Sequence, residues 1–324
     1  MAYVLNNPED FADELTAGFA AAYGNWVTRV DGGVVRSTEV PQGQVAIVTG
    51  GGSGHYPAFA GLVGPGLATG AAMGNIFASP SAQQVYNVAK AAQTGGGVLL
   101  TYGNYAGDVL NFTQAQERLR AEGIPCETVI VTDDIASSPP EKRHERRGIA
   151  GDLFVFKVAA AAAEAGKSLD EVVDIATAAN NMTRTLGVAF TGCTLPGAED
   201  PLFTVPEGRM AIGMGIHGEP GIDEQAIPTS HELADLLVTK LLAEKPADSS
   251  DRAVVLLNGL GGVKYEELFV LYGSVSRLLA DAGVTIVEPD VGELVTSFEM
   301  AGVSLTLSWL TDELAGYWSA PVST

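Results

Sequence analysis

The chain of 324 residues is 46% hydrophobic and 18% charged, which excludes a disordered or collagen-like polymer and gives enough length for two hydrophobic cores. Its formal net charge of −21 would repel a nucleic-acid duplex or an anionic bilayer, so neither is an expected partner. Two cysteines, Cys126 and Cys193, without a CxxC or any metal-ligand spacing, exclude a disulfide framework; with no basic-then-apolar leader and no apolar run long enough to span a bilayer, they point to the cytoplasm.

The first half alternates strand and helix signals. Residues 44–49 form a short β-branched run that enters Gly50-Gly51-Gly52-Ser53-Gly54-His55-Tyr56-Pro57. Four glycines after a strand expose main-chain N–H donors and let a ligand approach the backbone closely. The loop is neither a P-loop, because Gly-Lys-Ser/Thr is missing, nor a dinucleotide fingerprint, because the glycine spacing is imperfect and Pro57 follows at once. His55 reads as an acid, base or hydrogen-bonding group, or equally as a capped histidine in a tight turn. Ser79-Pro80 has the form of a helix start, with Ser79 as N-cap, and Val85, Val88, Ala89 and Ala92 then fall on one helical face.

A second strand at 98–101 runs into Gly103-Asn104-Tyr105-Ala106-Gly107-Asp108, with a helix expected over 109–122. Asp108 is placed either to cap that helix or to act as a general base at the mouth of the sheet that carries His55. A third strand at 127–132 ends in Asp133-Asp134, too short a signal for a Mg²⁺ site. Strand–helix–strand spacing of this kind predicts a mostly parallel sheet flanked by helices, with ligands at the carboxyl ends of its strands. The run 141–148, rich in both charges, reads mainly as a solvated loop. Helices are expected over 153–165 and 169–185, followed by a Pro/Gly/Thr-rich stretch at 191–207, which places a domain boundary at 188/189.

The second half repeats the α/β pattern. Strands are expected at 209–215, 253–257, 284–287 and 304–309, and helices at 231–242 and 266–280. The first strand runs into Met214-Gly215-Ile216-His217-Gly218-Glu219-Pro220-Gly221. A histidine in a glycine-rich stretch after a strand is closely approachable, and a neutral imidazole nitrogen is a nucleophile toward a carbonyl carbon; the alternative is a histidine in a Gly/Pro turn.

Together, residues 50–57, 77–81, 104–112, 146–151, 192–194, 215–221 and 318–322 resemble the dihydroxyacetone kinase family, specifically its ketose-binding K subunit or K domain, over nearly the whole chain. The resemblance implies a two-domain α/β fold, a domain at 1–188 with the glycine-rich substrate loops and one at 189–324 with the covalent-binding histidine. It implies that His217 holds a short ketose as a hemiaminal, that Asp108 is the base for the hydroxyl receiving phosphate, and that His55 hydrogen-bonds the substrate. Gly52, Ser53 and Gly54 fall on the loop that cradles it. Gly103 stands where many members have a substrate-contacting lysine, and Tyr56 where an acid is common, so a four-carbon ketose such as erythrulose competes with dihydroxyacetone as substrate. The family further implies a homodimer, and no cofactor in this chain: ATP, or ADP with Mg²⁺ recharged by a phosphotransferase system, belongs to a separate nucleotide-binding L subunit or domain. A ketose sensor or co-regulator of the same fold is the competing reading.

Overall fold

A computed structural model describes residues 3–324. They gather into two compact units, one made of the residues up to Val131 with 155–179 and 316–324, the other of 132–154 and 180–315. The division thus differs from a single cut at 188/189. Residues 183–189 go with the second unit because they pair with a strand near its C-terminal end, and Asp134 bridges to Thr185 beside them.

The first unit contains α1 (Phe11–Ala22), β1 (Val27–Val30), β2 (Gly33–Arg36), β3 (Ala46–Ser53), β4 (Gly70–Ile76), α2 (Ala82–Ala92), β5 (Val98–Gly103), α3 (Ala106–Ala121) and β6 (Cys126–Val131). Its sheet has the order β1-β2-β4-β3-β5-β6. The four strands from β4 to β6 are parallel, and an Asp31-Gly32 hairpin, with Gly32 at φ 95°, adds β1 and β2 antiparallel at one edge. β3 and β5 are buried along their whole length, as expected of parallel strands covered on both faces. On one face Val48, Leu100 and Tyr102 pack against Val85, Val88 and Ala89 of α2 and Phe112 and Leu119 of α3. Each fully buried side chain of Val or Leu size contributes about 1.5–3 kcal/mol.

Two helix starts differ from the sequence expectation. Ser81, not Ser79, caps α2: its hydroxyl accepts from Gln84 N, and Gln84 Oε1 accepts in return from Ser81 N. α3 begins at Ala106 with Tyr105 in the extended N-cap position, so Asp108 lies inside the first turn rather than capping it.

The chain continues through α4 (Asp152–Glu164) and α5 (Leu169–Asn181). α5 stops short of residue 185 because the β-branched Thr183 and Thr185 enter a strand. The second unit holds β7 (Thr183–Ala189), β8 (Arg209–Ile212), β9 (Asp223–Ala226), α6 (Ser230–Ala243), β10 (Arg252–Gly259), α7 (Tyr265–Asp281), β11 (Thr285–Ile286), β12 (Asp290–Gly292) and β13 (Gly302–Trp309), and α8 (Asp312–Trp318) follows. Its sheet runs β11-β10-β13-β7-β8-β9, with β12 also on β10. Here only β11 and β12 are parallel to their neighbour; the remaining pairs are antiparallel. Leu186, Leu257, Leu305 and Trp309 of the sheet form one core with Leu237 and Leu241 of α6 and Leu268 and Val275 of α7.

The charged run 141–148 is only partly solvated. Lys142 and His144 are exposed, but Arg146 is 0% exposed and donates from both terminal nitrogens to Glu244, at 2.7 and 2.8 Å. Burying its charge is tolerable because all three guanidinium nitrogens are bonded, the Nε to Ser138 O at 2.8 Å.

Candidate functional site

In the first unit the candidate residues collect at the carboxyl ends of the parallel strands. β3 leaves its regular register between Gly52 and Ser53, which bends the strand where the glycine loop begins. The segment after β4 folds back over this bend. Phe77 N donates to Ser53 O at 2.9 Å, and the Ser53 hydroxyl donates to Gly74 O at 2.7 Å. A Cβ on Gly52 would lie 2.7 Å from Ala78 N and 2.9 Å from Phe77 Cα, so only glycine lets residues 77–78 lie across the strand end. Phe77 takes φ 52°, rare for a side chain of its size, and its ring stacks on His55 at 4.9 Å and 18°. Phe59 meets the same imidazole edge-on at 6.5 Å, and His55 is 2% exposed. The His55 ring plane is therefore set by two aromatic neighbours. Tyr56 beside it is 44% exposed and rests on Phe19.

The β5 loop joins this cluster. Gly103 closes β5 opposite Val131, and Asp108 sits buried in the first turn of α3, where the helix dipole favours a carboxylate. Burial and the charge of Asp108 push the Tyr102 hydroxyl well above its ordinary pKa. The α3 start touches the residue 77–79 segment directly: Asn111 Nδ2 donates to the Ser79 hydroxyl at 3.2 Å. The loops carrying Gly52, Ser53, Gly54, His55, Gly103 and Asp108 thus meet at one end of one sheet, through residues 77–79.

His217 belongs to the second unit, on the β8–β9 connection. Glu219 grips it twice, accepting from His217 N at 3.1 Å and contacting Nδ1 at 2.9 Å. Burial disfavours a charge on Glu219, but the hydrogen bond and charge of His217, with main-chain N–H groups, outweigh it and hold the carboxyl down to about 2. Nδ1 facing an ionised carboxylate bears a hydrogen, so in the neutral form of the ring the lone pair lies on Nε2. The Ser297 hydroxyl fixes the loop from the other side, donating to Ile216 O at 2.6 Å. Asp133 and Asp134 serve the fold here. Asp133 accepts from Ile149 N and Gly151 N at 2.8 and 2.9 Å, and Asp134 accepts from Arg147 Nε at 2.9 Å.

Two residues of this arrangement escape a reading of the sequence alone. Glu219 lies inside the conspicuous Gly-Glu-Pro-Gly, and an acid two residues from a candidate nucleophilic histidine is a usable signal. The stacking role of Phe77 has no such signal, since it rests on a positive φ and a contact across β3 and β4.

The chain belongs to the Dak1 domain family, whose model matches residues 17–324. Over 325 residues it is 66% identical to an L-erythrulose kinase of Pectobacterium atrosepticum, an alignment covering 99% of this chain and 55% of that protein. It is 42% identical over 327 residues to the dihydroxyacetone-binding subunit DhaK of a PTS-dependent dihydroxyacetone kinase of Listeria innocua, covering 100% of this chain and 98% of that one. Among solved structures, the native dihydroxyacetone kinase of C. freundii matches with a TM-score of 0.88 and 36% identity, over 99% of this chain and 59% of that chain. A dihydroxyacetone kinase operon co-activator, DhaQ, matches with a TM-score of 0.88 and 33% identity, over 95% and 96%. Two mixed sheets flanked by helices are the fold of the dihydroxyacetone kinase K subunit. The chain spans about half the length of the erythrulose kinases it matches. No helix among the described residues is long and apolar enough to cross a membrane.

Proposed function

We propose that this chain is the ketose-binding component of a kinase, and that its substrate is a four-carbon ketose of the erythrulose type. The observation that carries the reading is the 2.9 Å contact between Glu219 and Nδ1 of His217, which makes Nε2 the nucleophilic nitrogen. Nε2 adds to the keto carbon; the carbonyl π pair moves to oxygen, which takes up a proton. The positive charge left on the ring is met by Glu219, and loss of the Nδ1 proton completes a neutral hemiaminal. A polyol such as glycerol offers no electrophilic carbon, so this chemistry selects ketoses.

In this reading His55 hydrogen-bonds the substrate, Gly52, Ser53 and Gly54 cradle it, and Asp108 accepts the proton of the terminal hydroxyl. Gly103 leaves room for a fourth carbon where a larger residue would not. The phosphoryl group comes from ATP, or from ADP with Mg²⁺ recharged by a phosphotransferase system, on an L subunit or domain; this chain supplies positioning and the base. The higher identity to erythrulose kinases, 66% against 42% for the dihydroxyacetone-binding subunit, supports the longer substrate. A homodimer in the cytoplasm completes the proposal.

Intact-protein mass spectrometry tests it. Erythrulose should add its mass less nothing at equilibrium, dihydroxyacetone should add less completely, and glycerol should add nothing. His217→Ala should abolish the adduct; an adduct that survives this substitution would refute the assignment. The match to the co-activator DhaQ favours a second reading, a ketose-binding regulator. Reconstitution with an L component and phosphate donor separates the two, since a regulator captures ketose yet yields no ketose phosphate.

A further inference from the structure

The Arg146-Arg147-Gly148-Ile149-Ala150-Gly151 motif has no part in the chemistry above, yet its second arginine reaches the histidine loop. Arg147 is mostly buried, its side chain 12% exposed. Its Nε lies 2.9 Å and its Nη2 2.8 Å from the same oxygen of Asp134, and Nη2 also donates to Gly213 O at 2.8 Å, where β8 ends. The remaining nitrogen, Nη1, is 3.9 Å from Glu219 Oε2, an ion-pair rather than a hydrogen-bond distance. The other oxygen of Glu219 meets His217 Nδ1.

Gly215 shows how closely this pair is built in. A Cβ there would lie 2.0 Å from Glu219 Oε2 and 2.5 Å from Arg147 Nη1. The glycine thus opens the space in which the guanidinium and the carboxylate meet. Asp134 is the anchor of the row, buried at 1% exposure; burial raises its carboxyl to about 6, with the charge of Arg147 pulling against that rise.

We propose that Arg147 is a positioning residue for His217: clamped by Asp134 and the Gly213 carbonyl, it holds Glu219 where it fixes the Nδ1–H tautomer and orientation of the imidazole, and Gly215 makes room for that contact. The inference rests on the hemiaminal reading of His217 but makes a claim about the unliganded ring that can be measured without any ketose. Outer partners that orient a metal-bound imidazole change affinity or activity by about 10- to 100-fold when removed, and the same scale is the expectation for this imidazole.

The test uses the full chain in three variants. Arg147→Met combined with Asp134→Asn removes the cation without stranding a buried carboxylate. Gly215→Ala leaves every charge in place and displaces Glu219, and Arg147→Lys restores a point charge without the fork. ¹⁵N spectra of labelled histidine should report the Nδ1–H tautomer for His217 in the parent. A mixture of tautomers is expected in Arg147→Met/Asp134→Asn and in Gly215→Ala, with partial return in Arg147→Lys. Adduct formation with erythrulose should slow about 10-fold in the first two. Folded variants that keep the parent's tautomer and rate would overturn the proposal. If the parent itself forms no adduct, the hemiaminal reading falls, while the tautomer spectra still decide the role of Arg147.

Discussion

In the first unit, His55, Ser53 and Asp108 stand at the carboxyl ends of parallel strands, and what positions them is main chain: a strand bend at Gly52, a returning segment at 77–79 and the first turn of α3. In the second, His217 lies on a connection between two antiparallel strands, and what positions it is charge: Glu219, then Arg147, then Asp134. The two modes fail differently. A site built from close backbone approaches fails when a carbon is added where the main chain crosses, whereas a site built from ion pairs fails when a partner is lost or when the space in which the partners meet is filled, as at Gly215.

The largest effect that would sharpen this contrast is expected at Gly52. Its added Cβ would meet backbone atoms of Phe77 and Ala78 rather than a movable side-chain end, so the 77–79 segment must shift and take the Phe77–His55 stack with it. Gly52→Ala should weaken ketose capture about 100-fold, the scale at which an ångström of misplacement acts. Adduct fraction against ketose concentration measures it, and capture equal to the parent would break the claim that backbone fit builds this end of the sheet.

Next comes the buried ion pair of the second unit. Arg146→Met leaves Glu244 with Arg184, at 3.6 Å, and the more distant charge of Arg143, and strips Ser138 O of its donor. Breaking such a pair costs about 3–5 kcal/mol, and the remaining arginines keep the expectation at the lower end, about 3 kcal/mol. Denaturant unfolding reads it directly. A loss under about 1 kcal/mol would mean that Arg146 is exchangeable with solvent, as its charged sequence neighbourhood alone suggests.

The same contrast explains what the sequence reveals. The first unit's glycine loops are legible because strand, glycine run and helix follow one another along the chain, and each local signal carries its own periodicity. Gly52, Ser53, His55 and Asp108 are singled out that way as candidates. The second unit's support is illegible for the opposite reason. Arg147 lies 72 positions before Glu219, Arg146 98 before Glu244, and a run reading Glu-Lys-Arg-His-Glu-Arg-Arg looks solvated until the partners are seen. The division of the chain is hidden likewise, because β7 finds its sheet through a pairing with β13, more than a hundred residues away. His217 itself stands out only because it lies in a run rich in glycine, with Gly215, Gly218 and Gly221 close by.

The smallest effect concerns a signal that is local but two residues displaced. Ser79-Pro80 has the form of a helix start, yet Ser81 closes the capping box with Gln84, and the Gln84 side chain also donates to Met73 O in β4 at 3.2 Å. The cap therefore ties α2 to the strand that leads into Phe77. Ser81→Ala should cost about 1 kcal/mol, the usual value of an N-cap hydroxyl, and Ser79→Ala less, since among the described residues the Ser79 hydroxyl bonds Pro80 O and Asn111 and caps no helix. Paired denaturant curves rank the two. Should Ser79→Ala prove the more destabilising, its bond to Asn111 at the start of α3 would outweigh a helix cap, and the meeting of loops at 77–79 would contribute more to the stability of the first unit than its regular elements do.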